Sequence, residues 1–283
     1  MAWGWQGPTR VRQRRLRLSR GQSVMASGSL YKYRSLAGAC REHAEALLRH
    51  SELYFAAPSS FDDPFDCQGR FAALRESADR GLEALLPLVD ELRPDWDEEA
   101  RRRSVEGILG LRGEPDAELA AAIAADLQRD VERTGVFSLT EDPASLLMWA
   151  HYADGHRGFC VELSRQGEPF RSARPVEYSP RYLDVALLDP RPGFVTKTLL
   201  TKARPWSYEK EWRLVLEPDR GPGTQRFPPE LLVGVILGHR MPPEHRRLVG
   251  SWVRQRRPRP RLFEARPKAA EFGLEIVPLA AFA

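Results

Sequence analysis

The stretch from Val136 to Leu163, VFSLTEDPASLLMWAHYADGHRGFCVEL, holds both kinds of secondary structure within one short run. Val136-Phe-Ser-Leu-Thr140 carries the β-branched and aromatic residues that strands favour. Asp142-Pro143 then reads as an N-cap followed by proline at the first helical position. The helix it opens, Ala144 to Ala153, ends near Gly155, and Gly158 to Leu163 resumes as a strand. Strand, helix and strand joined by such short turns belong to a chain whose helices pack on a sheet.

The same pattern extends outward. Upstream, Leu30-Tyr-Lys-Tyr-Arg34 and Glu52-Leu-Tyr-Phe-Ala56 are strand candidates, with a helix over Ala37 to His50 between them. Downstream come strand candidates at Val176 to Tyr178, Glu209 to Leu216, Leu232 to Leu237, Arg261 to Phe263 and Leu274 to Val277, with a helix from Glu244 to Val253. Between Phe71 and Arg133 the chain is rich in Ala, Leu, Glu and Arg. Pro87, Pro94, Gly110 and Pro115 cut that run into roughly three or four surface helices. The expected architecture is α+β: one domain over 28–283, with a mixed, largely antiparallel central sheet and a helical insert at about 72–134.

The chain has 283 residues, 42% apolar and 29% charged, a balance that sustains a packed core and excludes wholesale disorder. Its net charge of +4 is unevenly spread: Arg10, Arg12, Arg14, Arg15, Arg17 and Arg20 lie in residues 1–24, where no acid occurs, so the remainder carries −2. Residues 1–27 are expected to form a basic disordered leader, without the apolar centre of a secretory signal. Its arginines make nucleic acid a partner to consider, and the same composition permits a transit segment. Leu231 to Leu237 is far shorter than the ~20 residues that cross a bilayer, so no membrane partner is expected. Cys40, Cys67 and Cys160 lack paired spacing, which argues against a disulfide framework or a zinc knuckle and points to the cytoplasm.

The residues with chemistry concentrate in three places. In WSYEKEWRLV, Trp206 to Val215, a strand puts Glu209, Glu211, Arg213 and Val215 on one face and Lys210, Trp212 and Leu214 on the other. Glu209 and Glu211, ~6.7 Å apart along a strand, would flank a small substrate, and would repel one another unless Arg213 or another cation intervened. Alone, such a face is solvated surface whose cross-strand pairs are worth ~0.2–1 kcal/mol each. The crowding of Trp206, Tyr208 and Trp212 around it points to a pocket instead. On the helix after Pro143, His151 lies about 100° round from Tyr152, and His156 and Arg157 follow the helix end. A core helix with one satisfied histidine is the plainer account of that segment. Asp62, Asp63 and Asp66 lack calcium-loop spacing, and Asp62 and Asp63 before Pro64 read as an Asx-type turn in preference to a metal site. His151, Asp154, His156 and Cys160 match no zinc spacing, and no metal is expected. No G-x-S-x-G, Walker loop or G-x-G-x-x-G is present.

Five segments in order, LYKYRSL (Leu30 to Leu36), ELYFAAPSSFDDPFD (Glu52 to Asp66), Phe137 to Leu163, WSYEKEWRLV, and VGVILGHRM (Val233 to Met241), resemble the bacterial family of domain of unknown function 2971. The resemblance runs from Leu30 to about Leu279, skips the helical insert, and implies no activity. A second resemblance bears on chemistry. Arg34 on an early strand, Ser138-Leu-Thr140 in the middle and Glu209-Lys-Glu211 late, behind Trp206-Ser-Tyr208, is similar to the order of motifs in arginine-class ADP-ribosyltransferases. Leu139 departs from the usual threonine, and the Trp-x-His-Tyr helix is not required by that pattern.

This resemblance implies an ADP-ribosyltransferase-like split sheet and NAD as substrate. Arg34 would take the pyrophosphate and Tyr208 or Tyr152 the nicotinamide; Glu211 would stabilise an oxocarbenium-like transition state at the ribose, and Glu209 would activate the acceptor. Glu211, Glu209, His151 and Tyr152 are then the catalytic set, and Arg34, Tyr33, Ser138, Trp206, Tyr208, Arg213 and His156 the cofactor-binding set. Three other accounts stand beside it. One is a glycosidic or N-glycosidic hydrolase using the carboxylate pair. Another is a non-enzymatic module, in a phage-defence or toxin context, whose Arg34, His151, His156 and Arg213 hold nucleotide or nucleic-acid phosphate. The third is a buried ion network internal to the fold. The enzyme readings require Arg34, His151 or Tyr152, and Glu211 to meet in one cleft, whereas the binding module needs no carboxylate near its ligand.

Overall fold

The computed structural model describes residues 28–69, 78–111, 113, 116–182, 191–216 and 219–279; the expected leader lies outside them. In chain order its elements begin with β1 (Ser29–Arg34), α1 (Cys40–Glu45, continued by a π-helical turn Ala46–His50) and β2 (Glu52–Phe55). Then come α2 (Ala78–Leu92), α3 (Glu98–Ile108), α4 (Ala117–Glu132), β3 (Val136–Thr140), α5 (Leu146–Tyr152), β4 (Phe159–Ser164), β5 (Arg174–Pro175) and β6 (Glu177–Ser179). The chain closes with α6 (Arg191–Leu199), β7 (Thr201–Ala203), β8 (Glu211–Val215), β9 (Gly223–Arg226), β10 (Leu232–Leu237), α7 (Pro243–Gln255), β11 (Arg261–Pro267) and β12 (Leu274–Pro278).

The fold is α+β. Eight strands form one sheet in the order β12-β11-β10-β4-β1-β3-β8-β5. Only β10 and β11 run parallel in it, because α7 connects them as a crossover; the other pairings are antiparallel. Two small sheets, β2-β9 and β6-β7, stand beside it. Alternation sorts the side chains of β1: Leu30 enters a core built with Leu47, Phe55, Phe137, Phe159 and Trp252, whereas Tyr31 and Tyr33 enter one built with Trp149 and Cys160. A third core joins α2, α3, α4 and α6, and reaches the sheet through Val136 and Val215.

β1 and β3 share a single registered pair, Tyr31 opposite Thr140, whereas β1 and β4 pair at every residue from Ser29 to Arg34. Beyond that pair the two strands part. The sheet is therefore split between Lys32–Ser35 on one side and Val136–Leu139 on the other, and both edges line a cavity.

Several boundaries differ from expectation. Pro87 lies inside α2 rather than ending it; Leu85, Leu88 and Val89 are buried in the helical core, and that packing outweighs the ~3 kcal/mol a helical proline costs. The N-cap of α5 is Ser145, whose hydroxyl accepts from Met148 N, while the carboxylate of Asp142 accepts from Ala144 N in an Asx turn. β8 starts at Glu211: Pro205 opens a 3-10 turn over Arg204–Glu209, and Lys210 has φ 46°, which ends extended pairing. The short elements α6, β7 and β9 carry too little periodicity to be expected from sequence. Among the described residues no helix is long and apolar enough to cross a membrane.

Candidate functional site

The cavity at the split measures about 410 Å³. β1 supplies Lys32, Tyr33 and Arg34; β3 supplies Ser138 and Thr140; α5 supplies Met148, His151 and Tyr152. Lys202 of β7, Trp206 and Glu209 of the following turn, and Glu211 and Arg213 of β8 complete the far wall. Segments more than a hundred residues apart in sequence thus meet, and Arg34, His151, Tyr152 and Glu211 line one hollow.

Register builds the acidic side. Thr140 lies opposite Glu211 and Ser138 opposite Arg213, so the four share one face. Arg213 is 1% exposed. Its Nε donates to Glu211 Oε1 at 2.8 Å and Nη2 to Glu211 Oε2 at 3.0 Å, a fork on one carboxylate. Nη2 also reaches Asp66 Oδ2 at 2.6 Å, and Nη1 donates to Leu199 O at 2.8 Å. Lys202, 8% exposed, bonds Glu209 Oε2 and lies 3.1 Å from Glu211 Oε2 and 3.6 Å from Asp66 Oδ2. Tyr152 OH donates to Glu209 Oε1, and Thr140 Oγ1 to the Glu209 carbonyl at 2.6 Å.

These contacts overturn the solvated strand face as an account of Glu209, Glu211 and Arg213, which are 2%, 4% and 1% exposed. They also move Glu209 off the strand and into the preceding turn. The two glutamates converge on the ammonium of Lys202, the intervening cation, instead of flanking an open gap. Burial alone would raise the Glu211 carboxyl; the charges of Arg213 and Lys202, with hydrogen bonds from Arg213 and Ser138, overcome it and hold the group at about 2. Burial pulls the Lys202 ammonium down, and Glu211, Glu209 and Asp66 together reverse that and raise it above its usual range. Burial, reinforced by the bond to Glu209, raises the Tyr152 phenol.

β1 presents the opposite picture. Lys32 Nζ lies 4.9 Å and Arg34 Cζ 5.5 Å from the centre of the Phe137 ring. Neither residue has an ion pair or a side-chain hydrogen bond among the described residues, and Arg34 Nε is fully buried without a partner. Burial, then the neighbouring Arg34 charge, bring the Lys32 ammonium down to about 7, and burial brings the Arg34 guanidinium down to about 10.

The remaining expected residues divide. Trp206 lines the cavity with its ring 5.0 Å from Lys202 Nζ, and Ser138 lines it beside Glu211. Tyr33 lines it too, but is 3% exposed, packs edge-on against Trp149 and donates its hydroxyl to Asp142 O at 2.7 Å, so it serves the wall rather than a ligand. Tyr208 stands behind the wall, its ring 6.3 Å from that of His151. His156 is elsewhere: the chain turns through Asp154, Gly155 and His156 at positive φ, and the imidazole stacks on Trp149. The loop carboxylates also divide, since Asp63 accepts from Phe65 N as the Asx turn requires, whereas Asp66 joins the buried network.

Sequence reasoning overlooked Lys32, Asp66 and Lys202 as site residues. For Lys32 a signal existed, because choosing Arg34 on a strand places Lys32 on the same face. Scans against family models, curated proteins and solved structures find no match to this chain. The case for a function accordingly stands on the cavity's own chemistry and on the motif resemblances.

Proposed function

We propose that the cavity binds a nucleotide through its diphosphate and acts on NAD in the manner of an ADP-ribosyltransferase, breaking the bond between nicotinamide and ribose. One observation carries this reading: Arg34, a half-buried guanidinium with no counter-ion among the described residues and its Nε fully buried, shares a hollow with Glu211, ionised at neutral pH, and the rings of Tyr152 and Trp206. Arg34 supplies the charge that a diphosphate needs. The rings supply apolar surface for nicotinamide. A fixed carboxylate favours the positive charge that develops at the ribose as the leaving group departs. Glu211 carries no proton at neutral pH, so it acts by charge and not as a general acid.

A second reading is a binding module without catalysis. The full pairing of Glu209 and Glu211 with Tyr152, Lys202 and Arg213 favours it.

Nicotinamide release from NAD, with water and with arginine-bearing peptides as acceptors, separates the two. The transferase reading expects release by the wild type, a loss on the order of 10²–10³-fold in folded Glu211→Gln, and a raised KM in Arg34→Met. Binding of NAD by both the wild type and Glu211→Gln with no release by either supports the module. Neither release nor binding ends both readings.

A further inference from the structure

We infer that Lys32 and Arg34 form a two-point receptor for a diphosphate, and that Lys32 takes up a proton as that anion binds. The choice of a nucleotide diphosphate rests on the reading above; the receptor itself rests on β1. The two residues lie two apart on one strand, side by side on the same face, and both stand over the Phe137 ring. Like charges held together over an apolar surface destabilise a fold unless something of opposite charge joins them. The described residues do not supply it. Asp66, Glu209 and Glu211 are committed to Lys202 and Arg213. Asp62 and Asp63 stand on the lip of the cavity, where Asp62 is exposed, and neither is ion-paired to β1.

The groups that face Lys32 set its protonation. Arg34 on its own strand and Lys202 on β7 lower it, Glu211 on β8 and Glu209 in the turn raise it, and burial dominates, leaving it at about 7. His43 of α1 and Cys40 share the cavity wall near Arg34, and burial followed by the Arg34 charge lowers the His43 imidazole. A part-charged Lys32 becomes fully charged once two phosphates lie against it, and binding draws a proton from solvent. A hollow of about 410 Å³ walled on several sides suits a small molecule rather than a nucleic-acid strand.

Calorimetric titration of the full chain with ADP-ribose at about pH 7.5, in buffers of different ionisation enthalpy, tests this. ADP-ribose is chosen because its two phosphates keep their charge across the range, so any proton taken up comes from the protein. The expected results are binding with uptake approaching one proton, at least tenfold weaker binding without uptake in Lys32→Met, and retained binding without uptake in Lys32→Arg. Arg34→Met weakens binding and reduces the uptake, because Lys32 then loses the neighbouring charge that lowers it. A merely structural Lys32 would not separate the methionine and arginine variants. Binding without proton uptake by the wild type, unchanged affinity in Lys32→Met, or no binding at millimolar ADP-ribose overturns the inference; so does tight binding of a single-stranded oligonucleotide in its place. Proton-linked binding without nicotinamide release would sink the transferase reading alone, and release without proton linkage would sink the receptor alone.

Discussion

Arg213 joins three parts of the chain that are distant in sequence: β8 through Glu211, the loop after β2 through Asp66, and the end of α6 through the Leu199 carbonyl. Removing it leaves three buried carboxylates, Asp66, Glu209 and Glu211, sharing the one ammonium of Lys202. Arg213→Met is expected to cost ~3–5 kcal/mol in urea unfolding, the range for breaking a buried ion pair by deleting one partner. The pH dependence adds a signature. Glu211 sits at about 2 in the fold against an ordinary 4.5, so its contribution is complete above pH 4.5 and is lost as pH falls toward 2. Wild-type stability should therefore decline over that window. The methionine variant, whose Glu211 has lost its principal counter-charge, should start lower and decline less. Parallel declines would show that the pair does not set the acid limb.

At the level of elements, the site depends on where β1 ends. Gly158, just before β4, has no side chain because a Cβ there would stand 2.1 Å from the Arg34 carbonyl oxygen and 3.1 Å from that of Ala153. Both obstacles are backbone and cannot turn aside. Gly158→Ala should cost ~1–3 kcal/mol in thermal or urea unfolding and weaken ADP-ribose binding by displacing Arg34. An alanine variant with native stability and affinity would mean that β1 is not held in this way. Much of the element pattern is legible in the sequence: Val136–Thr140 and Leu232–Leu237 alternate or run apolar over their full length and appear where periodicity places them. Glu211 and Arg213 share a face for the same reason. Glu209 escapes this logic because Pro205 and the left-handed Lys210 are local features that a period of two cannot express. Lys202 escapes it because β7 spans Thr201–Ala203 only, too short to show alternation, and its partners come from other elements. His156 fails as a site residue because its direction is set by the backbone turn after α5.

For the molecule as a whole, the split of the sheet is the feature that organises charge. Where β1 and β3 part, one edge carries two basic side chains without partners among the described residues, and the other looks toward a saturated network of three carboxylates, one lysine and one arginine. The network is complete in itself and stabilises the floor. Lys32 and Arg34 are not, and the proposed receptor rests on that contrast. That contrast could not be read from composition, since the −2 left after the leader says nothing about where positive charge is concentrated. The most direct test is a crystal structure of the chain with ADP-ribose. The account predicts the diphosphate within hydrogen-bonding distance of Lys32 and Arg34, with the distal ribose turned toward Glu211; a ligand bound elsewhere, with Arg34 still unpartnered, would contradict it.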